Sequence, residues 1–132
     1  MTLSFDHNRP IYIQVMEHVY GQVCRGELNP GDKLPSVREM AVSAGVNPNT
    51  ISRTYMEMER EKVVESKRGQ GTFVTNNQSV IDELKVSAAK KETERFVGAL
   101  SQYGYTEKEM ELLLSDYLSK RGEGNDRSTN QS

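Results

Sequence analysis

Apolar residues in the first part of the chain recur at spacings of three and four, which is the repeat of one face of an α-helix. The first such stretch opens at Pro10, because the fixed φ of proline suits the first position of a helix, and it ends at Gly26. We expect its inward face to consist of Tyr12, Val15, Met16, Val19 and Val23.

Two shorter helices, separated by only three residues, are predicted next. Ser36-Val37-Arg38-Glu39 is a capping box, and Gly45 ends the helix that it opens. Asn47 caps the following helix, and Pro48 occupies its first turn. A short turn with glycine lets one helix brace the other at a steep angle, so residues 36–55 read as a helix-turn-helix.

The outer face of the third helix carries the candidate chemistry. Asn49, Thr50 and Arg53 lie near its leading end, and all three side chains can hydrogen-bond to base edges or phosphates. A helix braced in this way can enter a DNA major groove about 12 Å wide. Ordinary helix pairs also use glycine turns, so this pattern by itself favours a DNA-binding motif without establishing one.

A short β-hairpin is predicted directly after the helix-turn-helix. Two β-favouring runs at residues 63–66 and 72–75 flank a tip with two cations and two glycines: Lys67, Arg68, Gly69 and Gly71. The glycines allow close backbone approach, and the cations supply the counterion-release part of DNA binding. A hairpin in this position is a wing, whereas a basic solvated turn is the alternative reading of the tip.

The remainder of the chain is predicted to be mainly helical. Residues 79–103 read as one long helix, and after Gly104 a second capping box, Thr106-Glu107-Lys108-Glu109, opens another. Two such helices cannot enclose a core alone, so their apolar stripes must pack on the winged domain or on a second copy of the chain. A DNA-binding helix gains from two-fold symmetry, because a dimer meets two half-sites. We therefore expect a homodimer through residues 76–121, with these dimerisation residues: Ile81, Leu84, Ala88, Phe96, Leu100, Tyr103, Met110, Leu113, Leu114 and Tyr117. Residues 122–132 contain no apolar side chain, so a disordered tail is expected there.

A formal charge of −2 on 132 residues, if it were spread evenly, would disfavour a nucleic-acid partner. Counted by segment, however, residues 1–75 hold nine Lys+Arg and nine Asp+Glu. The acidic excess therefore belongs entirely to residues 76–132. The winged domain is neutral, with cations at its third helix and at its wing.

Little in the sequence supports catalysis, a metal site or a cofactor. His7 and His18 are isolated from other ligand-type residues, and no phosphate loop, nucleophile elbow or carboxylate pair occurs. The single cysteine, Cys24, excludes a disulfide framework and favours a reducing compartment. With no apolar run long enough to span a membrane, we expect a cytoplasmic protein that is not an enzyme.

Several ordered motifs within residues 4–75 resemble the winged-helix domain of the GntR family of bacterial transcription regulators. They are Leu34-Pro35-Ser36-Val37-Arg38-Glu39-Met40-Ala41, Gly45-Val46-Asn47-Pro48-Asn49-Thr50-Ile51-Ser52-Arg53-Thr54-Tyr55 and Arg68-Gly69-Gln70-Gly71-Thr72-Phe73-Val74. The short helical remainder resembles the YtrA-like subfamily. The implied fold is mainly α with a small hairpin wing, divided into a winged domain (1–75), a two-helix dimerisation appendage (76–121) and a tail (122–132).

The resemblance implies a dimeric, sequence-specific regulator, usually a repressor, that binds a pseudo-palindromic operator in double-stranded DNA. YtrA-like members are associated with control of their own operon, often one with ABC-transporter genes. By position, the implied DNA contacts are Arg38, Asn49, Thr50, Arg53 and the wing residues Gly69 and Gly71, beside Lys67 and Arg68. Lys33, Arg60 and Lys67 are weaker, phosphate-type candidates, and a plain solvated side chain is the alternative interpretation of each. A small-molecule effector stays open, and the competing interpretation is a winged helix that docks proteins instead of DNA.

Overall fold

The computed structural model describes residues 3–128, with side chains described as far as residue 122. Within that range the chain forms five helices and one antiparallel hairpin, which confirms the mainly-α winged-helix class. The elements are α1 (Ile11–Cys24), α2 (Val37–Ala44), α3 (Pro48–Arg60), β1 (Val64–Lys67), β2 (Gly71–Val74), α4 (Gln78–Ser101) and α5 (Glu107–Ser128).

α2 begins and ends, and α3 begins, at the capping residues that the sequence predicts. The Ser36 hydroxyl accepts from the Glu39 backbone N–H at 3.0 Å, and the Glu39 carboxylate accepts from the Ser36 N–H at 2.9 Å. Gly45 ends α2 with a φ of 72°, a conformation that strains residues with a Cβ. The Asn47 side chain then accepts from the Asn49 N–H at 2.7 Å. Both ends of α2 and the start of α3 are therefore set by local chemistry.

The core of the first unit lies between α1, α2 and α3, and the hairpin and the start of α4 close it. Val15, Val19, Ile51 and Met58 have no exposed surface. Burying an aliphatic side chain of this size stabilises the fold by roughly 1.5–3 kcal/mol. The apolar stripe predicted for α1 is therefore a packing face, and Ile51 and Met58 form the packing face of α3.

The hairpin has a third, short partner that the sequence did not indicate. β1 pairs with β2 in a register that places Val64 opposite Val74 and Lys67 opposite Gly71. On the other side of β2, Leu34 N–H donates to the Thr72 carbonyl at 2.8 Å, and a bridge joins Lys33 to Phe73. The segment just before α2 therefore attaches the wing to the helix-turn-helix.

The boundary predicted near residue 75 lies further along the chain. The first compact unit ends at Ser87 and the second begins at Ala88, within α4. Ile81, near the start of α4, is only 6% exposed, and it belongs to the same core as α1–α3, with Leu84 partly buried against it. The prediction of an exposed dimerisation role for Ile81 is wrong, because its side chain completes the winged domain.

The second unit contains the end of α4 and all of α5. The predicted capping box is present: Thr106 N–H donates to the Glu109 carboxylate at 2.8 Å, and Glu109 N–H donates to the Thr106 hydroxyl at 3.2 Å. The tail expected to be disordered from residue 122 is instead helical as far as Ser128. Extending a helix adds one backbone hydrogen bond per residue without a new nucleation cost, so it needs no apolar face. Residues 129–132 of that tail lie outside the described residues.

None of the helices in the described range combines the length and the apolar character needed to cross a bilayer.

Candidate nucleic-acid interface

α3 has two chemically distinct sides. Ile51, Thr54, Tyr55 and Met58 are buried in the domain. On the outer side Asn49, Arg53, Met56 and Arg60 are exposed, and Thr50 is half-buried beside them. Met56 is 68% exposed on this polar face, and it is absent from the predicted contacts of the third helix. Its spacing of seven from Asn49 was the signal that places both residues on one helix face.

The orientation of α3 is fixed by buried side chains from its inner side. The Tyr55 hydroxyl donates to the Pro35 carbonyl at 2.7 Å, which ties α3 to the residues just before α2. At the C-terminal end of α3, the Tyr20 hydroxyl on α1 donates to the Glu61 carboxylate at 2.6 Å. These contacts hold the middle and the C-terminal end of the helix, so its exposed face has a defined direction.

Both tyrosines keep their protons at neutral pH. Burial, together with the negative charge of Glu39, raises the pKa of Tyr55 to about 12. Burial, and secondly the hydrogen bond to Glu61, raises the pKa of Tyr20 well above its usual value. Each hydroxyl therefore remains a hydrogen-bond donor under physiological conditions.

Arg53 lies over the face of an aromatic ring from another helix. Its guanidinium carbon is 3.8 Å from the centroid of the Tyr12 ring on α1. No carboxylate in the described part of the chain forms an ion pair with Arg53. Arg38, in the first turn of α2, is exposed as well. Both guanidinium groups are therefore available to an anionic partner.

The wing presents three cations around a tight turn. Gln70 N–H donates to the Lys67 carbonyl at 2.8 Å, which leaves Arg68 and Gly69 exposed at the tip. The Lys67 ammonium lies 4.8 Å from the centroid of the Phe73 ring. The third cation, Lys33, comes from the segment paired with β2.

Lys33 reaches the wing because one position there lacks a side chain. Gly71 has a φ of 125°, and a Cβ built on it lies only 2.7 Å from Lys33 Cε. The stem of Lys33 therefore crosses the backbone at Gly71. Lys33 precedes the wing by more than thirty residues, and the pairing of its segment with β2 is what places it there.

The acidic residues of α3 are engaged within the domain. Glu57 forms an ion pair with Arg60 at 2.5 Å. The Glu59 carboxylate accepts from both the backbone N–H and the hydroxyl of Ser66 on β1, each at 3.1 Å. The first contact offsets a negative charge, and the second ties the base of the wing to α3.

All eight predicted DNA contacts lie in the first compact unit, on the start of α2, the outer side of α3 and the wing. They are exposed except for Thr50, which is half-buried: Arg38, Asn49, Thr50, Arg53, Lys67, Arg68, Gly69 and Gly71. Among residues 3–128 no three His, Cys, Asp or Glu side chains are grouped so as to hold a metal ion. A helix-turn-helix with a polar outer face and a basic-tipped hairpin defines a winged helix of the DNA-binding class.

Comparison with known proteins places the chain within that class. Residues 11–74 match the family model of bacterial regulatory proteins, gntR family. The HTH-type transcriptional regulator YhcF of Bacillus subtilis (strain 168) is 48% identical over 110 residues, which cover 83% of this chain and 91% of YhcF. The HTH-type transcriptional repressor YtrA of the same organism is 39% identical over 89 residues, 67% of this chain and 68% of YtrA. The chain belongs to the GntR family of transcriptional regulators, as its motifs predicted.

Solved structures agree with the family assignment. A GntR family transcriptional regulator from Listeria monocytogenes superposes with a TM-score of 0.80 at 34% identity, covering 85% of this chain and 98% of that one. The structure of AraR(DBD) in complex with operator ORX1 matches with a TM-score of 0.52 at 26% identity, over 57% of this chain and 95% of that one. The winged unit therefore shares its fold with a domain whose complex with operator DNA is known.

Proposed function

We propose that this regulator is a repressor that binds a pseudo-palindromic DNA operator as a homodimer. The observation that carries the proposal is the outer side of α3. This side presents Asn49 and Arg53 on a helix that Tyr55 and Tyr20 hold in place. Asparagine and arginine are the side chains that pair bidentately with adenine and guanine in the major groove.

The remaining cations have a positioning role in this proposal. Arg38 at the start of α2 and Lys33, Lys67 and Arg68 around the wing contact phosphates on either side of the groove that α3 enters. Phosphate contacts fix the register of the protein on the duplex, whereas base contacts select the sequence. The wing glycines, Gly69 and Gly71, let its backbone approach the minor groove.

The homodimer is supported by apolar side chains that the single chain leaves exposed. On α5 an apolar stripe begins at Met110, which is only 6% exposed. It continues to Leu113, Leu114 and Tyr117, which are 42%, 46% and 62% exposed. Around the end of α4, Phe96 is 38% and Tyr103 81% exposed, Ala88 is exposed and Leu100 is half-buried. A second copy of the chain would cover these faces and would give the two-fold symmetry that an inverted-repeat operator requires. The interface proposed here omits Ile81 and assigns Leu84 and Met110 chiefly to packing within the chain.

The regulated genes and the effector are the finer parts of the proposal. We include control of the regulator's own operon, with transporter genes in it, because the chain is similar to YtrA-like regulators. Such a role is carried out in the cytoplasm. A pocket beside Pro35 and His18 has a volume of about 160 Å³, and a more open one beside Glu59 and Val80 has about 300 Å³, which is only the lower end of the range for small-molecule sites. The structure thus favours no particular effector.

The test is a selection of bound fragments from the source genome, followed by footprinting. The expected result is a small set of fragments that share an inverted repeat, with half-sites one helical turn or a multiple of it apart. An upstream region of the regulator's own operon is expected among them. Fragments without any common motif would contradict sequence-specific binding.

The salt dependence of binding separates this function from the protein-docking alternative. Each phosphate neutralised lowers the logarithm of affinity by about 0.9 per tenfold rise in salt. We therefore expect binding to weaken by orders of magnitude between low and physiological salt. Recruitment of a protein partner with little salt dependence, and no DNA retention, would favour the alternative.

A further inference from the structure

We propose that Tyr12 is a positioning residue for DNA recognition: its ring holds the Arg53 guanidinium with its N–H donors directed away from the domain. The inference rests on the proposed function, because it assigns a source to the specificity of the α3 surface. Tyr12 itself is not required to touch DNA in this account. It acts through Arg53.

The geometry is that of a stacked pair. Tyr12 lies in the first turn of α1, half-buried at the edge of the core, and Arg53 projects from α3. The distance of 3.8 Å between the guanidinium carbon and the ring centroid is a contact distance. A planar guanidinium stacks on an aromatic face, both by attraction to the ring quadrupole and by dispersion.

The ring is itself held in place by the junction of α1 and α3. The Thr54 hydroxyl, in the turn next to Arg53, is fully buried, and it donates to the Thr50 carbonyl at 2.8 Å. The same hydroxyl lies 3.5 Å from the Tyr12 carbonyl oxygen. The backbone of Tyr12 is therefore fixed against the helix that carries Arg53, so the ring is a preformed surface.

Stacking has a chemical advantage over an ion pair at this position. A guanidinium that stacks through its face keeps all five N–H donors at its edge available for guanine or phosphate. Arg60, two turns along the same face, is instead paired with the Glu57 carboxylate, which competes with any phosphate for those donors. The two arginines of α3 are thus held differently. Arg53 is restrained by the Tyr12 ring, with no ion pair to any carboxylate in the described range, whereas Arg60 is ion-paired.

Pre-ordering also reduces the entropy lost on binding. A long, freely rotating arginine side chain loses rotamer freedom when it contacts a base, and this loss subtracts from affinity. A side chain already confined over a ring loses less. From the strength of exposed cation–π contacts we expect the Tyr12 ring to account for roughly a two- to fivefold gain in operator affinity.

The experiment compares four variants of the full chain on its footprinted operator and on a scrambled duplex of equal length. Tyr12→Phe keeps the aromatic face, Tyr12→Leu removes it, Arg53→Ala removes the cation, and a double variant combines the last two. Arg60→Ala is the matched control for loss of one arginine from the same helix face. Thermal unfolding of each variant shows whether the winged domain remains folded.

The expected pattern is specific to a positioning role. Tyr12→Phe should bind like the wild type within about twofold, and Tyr12→Leu should lose roughly two- to fivefold in operator affinity, with scrambled DNA unaffected. In the Arg53→Ala background, Tyr12→Leu should have no further effect, because the residue through which it acts is gone. A merely structural defect would lower the melting temperature and would weaken binding in both backgrounds.

Two outcomes would overturn the inference. One is multiplication of the Tyr12→Leu and Arg53→Ala effects in the double variant, which would make the residues independent. The other is full operator affinity in Tyr12→Leu while Arg53→Ala binds poorly. Failure of the wild-type chain to prefer its operator over scrambled DNA is a different result, because it would remove the proposed function itself.

Discussion

At the residue scale, the described side chains of the interface differ mainly in how each is held. Arg53 is stacked, Arg60 is ion-paired, and Lys67 lies near the Phe73 ring on the wing. Exposure alone does not distinguish them, since all three are surface residues. The three side chains differ in the contacts that restrain them, and we therefore expect them to contribute differently to operator binding.

Arg53→Ala and Lys67→Ala should have different effects on DNA binding. If Arg53 reads a base, its loss should cost about 1–3 kcal/mol of operator binding and relax the preference at one position. Lys67 lies on the wing and contacts phosphate in this account, so its loss should weaken all sequences alike and reduce the salt slope by about one. Titration of the operator and of single-base variants checks both. Equal losses on operator and unrelated DNA for Arg53→Ala would contradict base reading.

Tyr55 links the stability of the domain to pH at the alkaline end. Its pKa is about 12 in the folded chain against 10.0 for the ordinary side chain. The folded state therefore keeps the proton more tightly, and the resulting stability is complete below about pH 10 and lost as the pH rises towards 12. Tyr55→Phe should lower the free energy of unfolding by about 1 kcal/mol at pH 7, because the bond to the Pro35 carbonyl is lost.

Urea unfolding at pH 7, 9 and 11 measures this linkage. Above pH 10 the stability of Tyr55→Phe should fall less steeply than that of the wild type, with the remaining slope coming from Tyr20 and other groups. Parallel loss of stability in the two proteins would show that Tyr55 does not control the alkaline transition.

At the element scale, local chemistry was readable from the sequence, but pairing over long distances was not. Ser36 with Glu39, and Thr106 with Glu109, satisfy backbone groups three residues away, so their pattern alone located two helix starts. The bridge from Lys33 to Phe73 joins residues forty apart. Nothing in the composition of residues 31–34 distinguishes a strand partner from a turn, and the pairing depends on where the folded core places β2.

The assignment of Ile81 failed for a related reason. An apolar stripe shows that one helix face will be buried, but it does not show which surface will bury it. The winged domain has an open edge where α4 begins, and Val80, Ile81 and Leu84 fill it. A dimer surface and an intrachain core leave the same periodic signature. The outer face of α3 was readable because polar residues at a predicted helix start have few packing explanations.

The end of α3 offers a direct test of an element boundary. Val63 N–H donates to the Met58 carbonyl at 3.0 Å and Lys62 N–H to the Glu59 carbonyl at 2.9 Å, which is a Schellman motif. Lys62 occupies its left-handed position with a φ of 69°. Lys62→Gly should raise the free energy of unfolding by about 0.5–1 kcal/mol, because glycine adopts this conformation without a Cβ clash.

Chemical denaturation of Lys62→Gly and Lys62→Ala distinguishes strain from charge. The alanine variant removes the charge but keeps the strained Cβ, so it should show no gain. An equal gain in both variants would instead indicate repulsion from the cations of the wing, and no gain in the glycine variant would contradict strain at this position.

At the scale of the whole molecule, size and function lead to the same requirement. Each chain offers one α3, while an inverted-repeat operator has two half-sites. The same chain leaves a stripe on α5 with Leu113, Leu114 and Tyr117 between 42% and 62% exposed. In the proposed dimer, two chains pair through these exposed stripes, and the pairing brings two winged units onto one operator.

Substitutions on α5 test the dimer. Leu114→Lys combined with Tyr117→Lys should shift the protein to monomers at micromolar concentration and lower its apparent operator affinity by at least about tenfold, since half of the contacts are lost. Ser119→Lys is the control for an added lysine, because Ser119 is exposed and lies on the other side of the helix from Leu113, Leu114 and Tyr117. Sedimentation that shows an unchanged dimer in the double variant, or equal disruption by the control, would place the interface elsewhere.

The net charge of −2 on the whole chain is compatible with DNA binding, because the acidic excess lies outside the winged domain. In the proposed function the winged domain attracts DNA through a few placed cations, and the acidic residues of α3, Glu57 and Glu59, are engaged by Arg60 and Ser66. A protein with weak overall attraction and strong local contacts is expected to discriminate well between its operator and bulk DNA.

The most direct measurement is therefore the ratio of affinities for the footprinted operator and a scrambled duplex of the same length and composition, taken across a series of salt concentrations. We predict a preference of at least about 10³ at physiological salt, with both affinities falling steeply as salt rises. Equal affinity for the two duplexes, or binding indifferent to salt, would contradict the assignment of α3 and the wing as a sequence-reading surface.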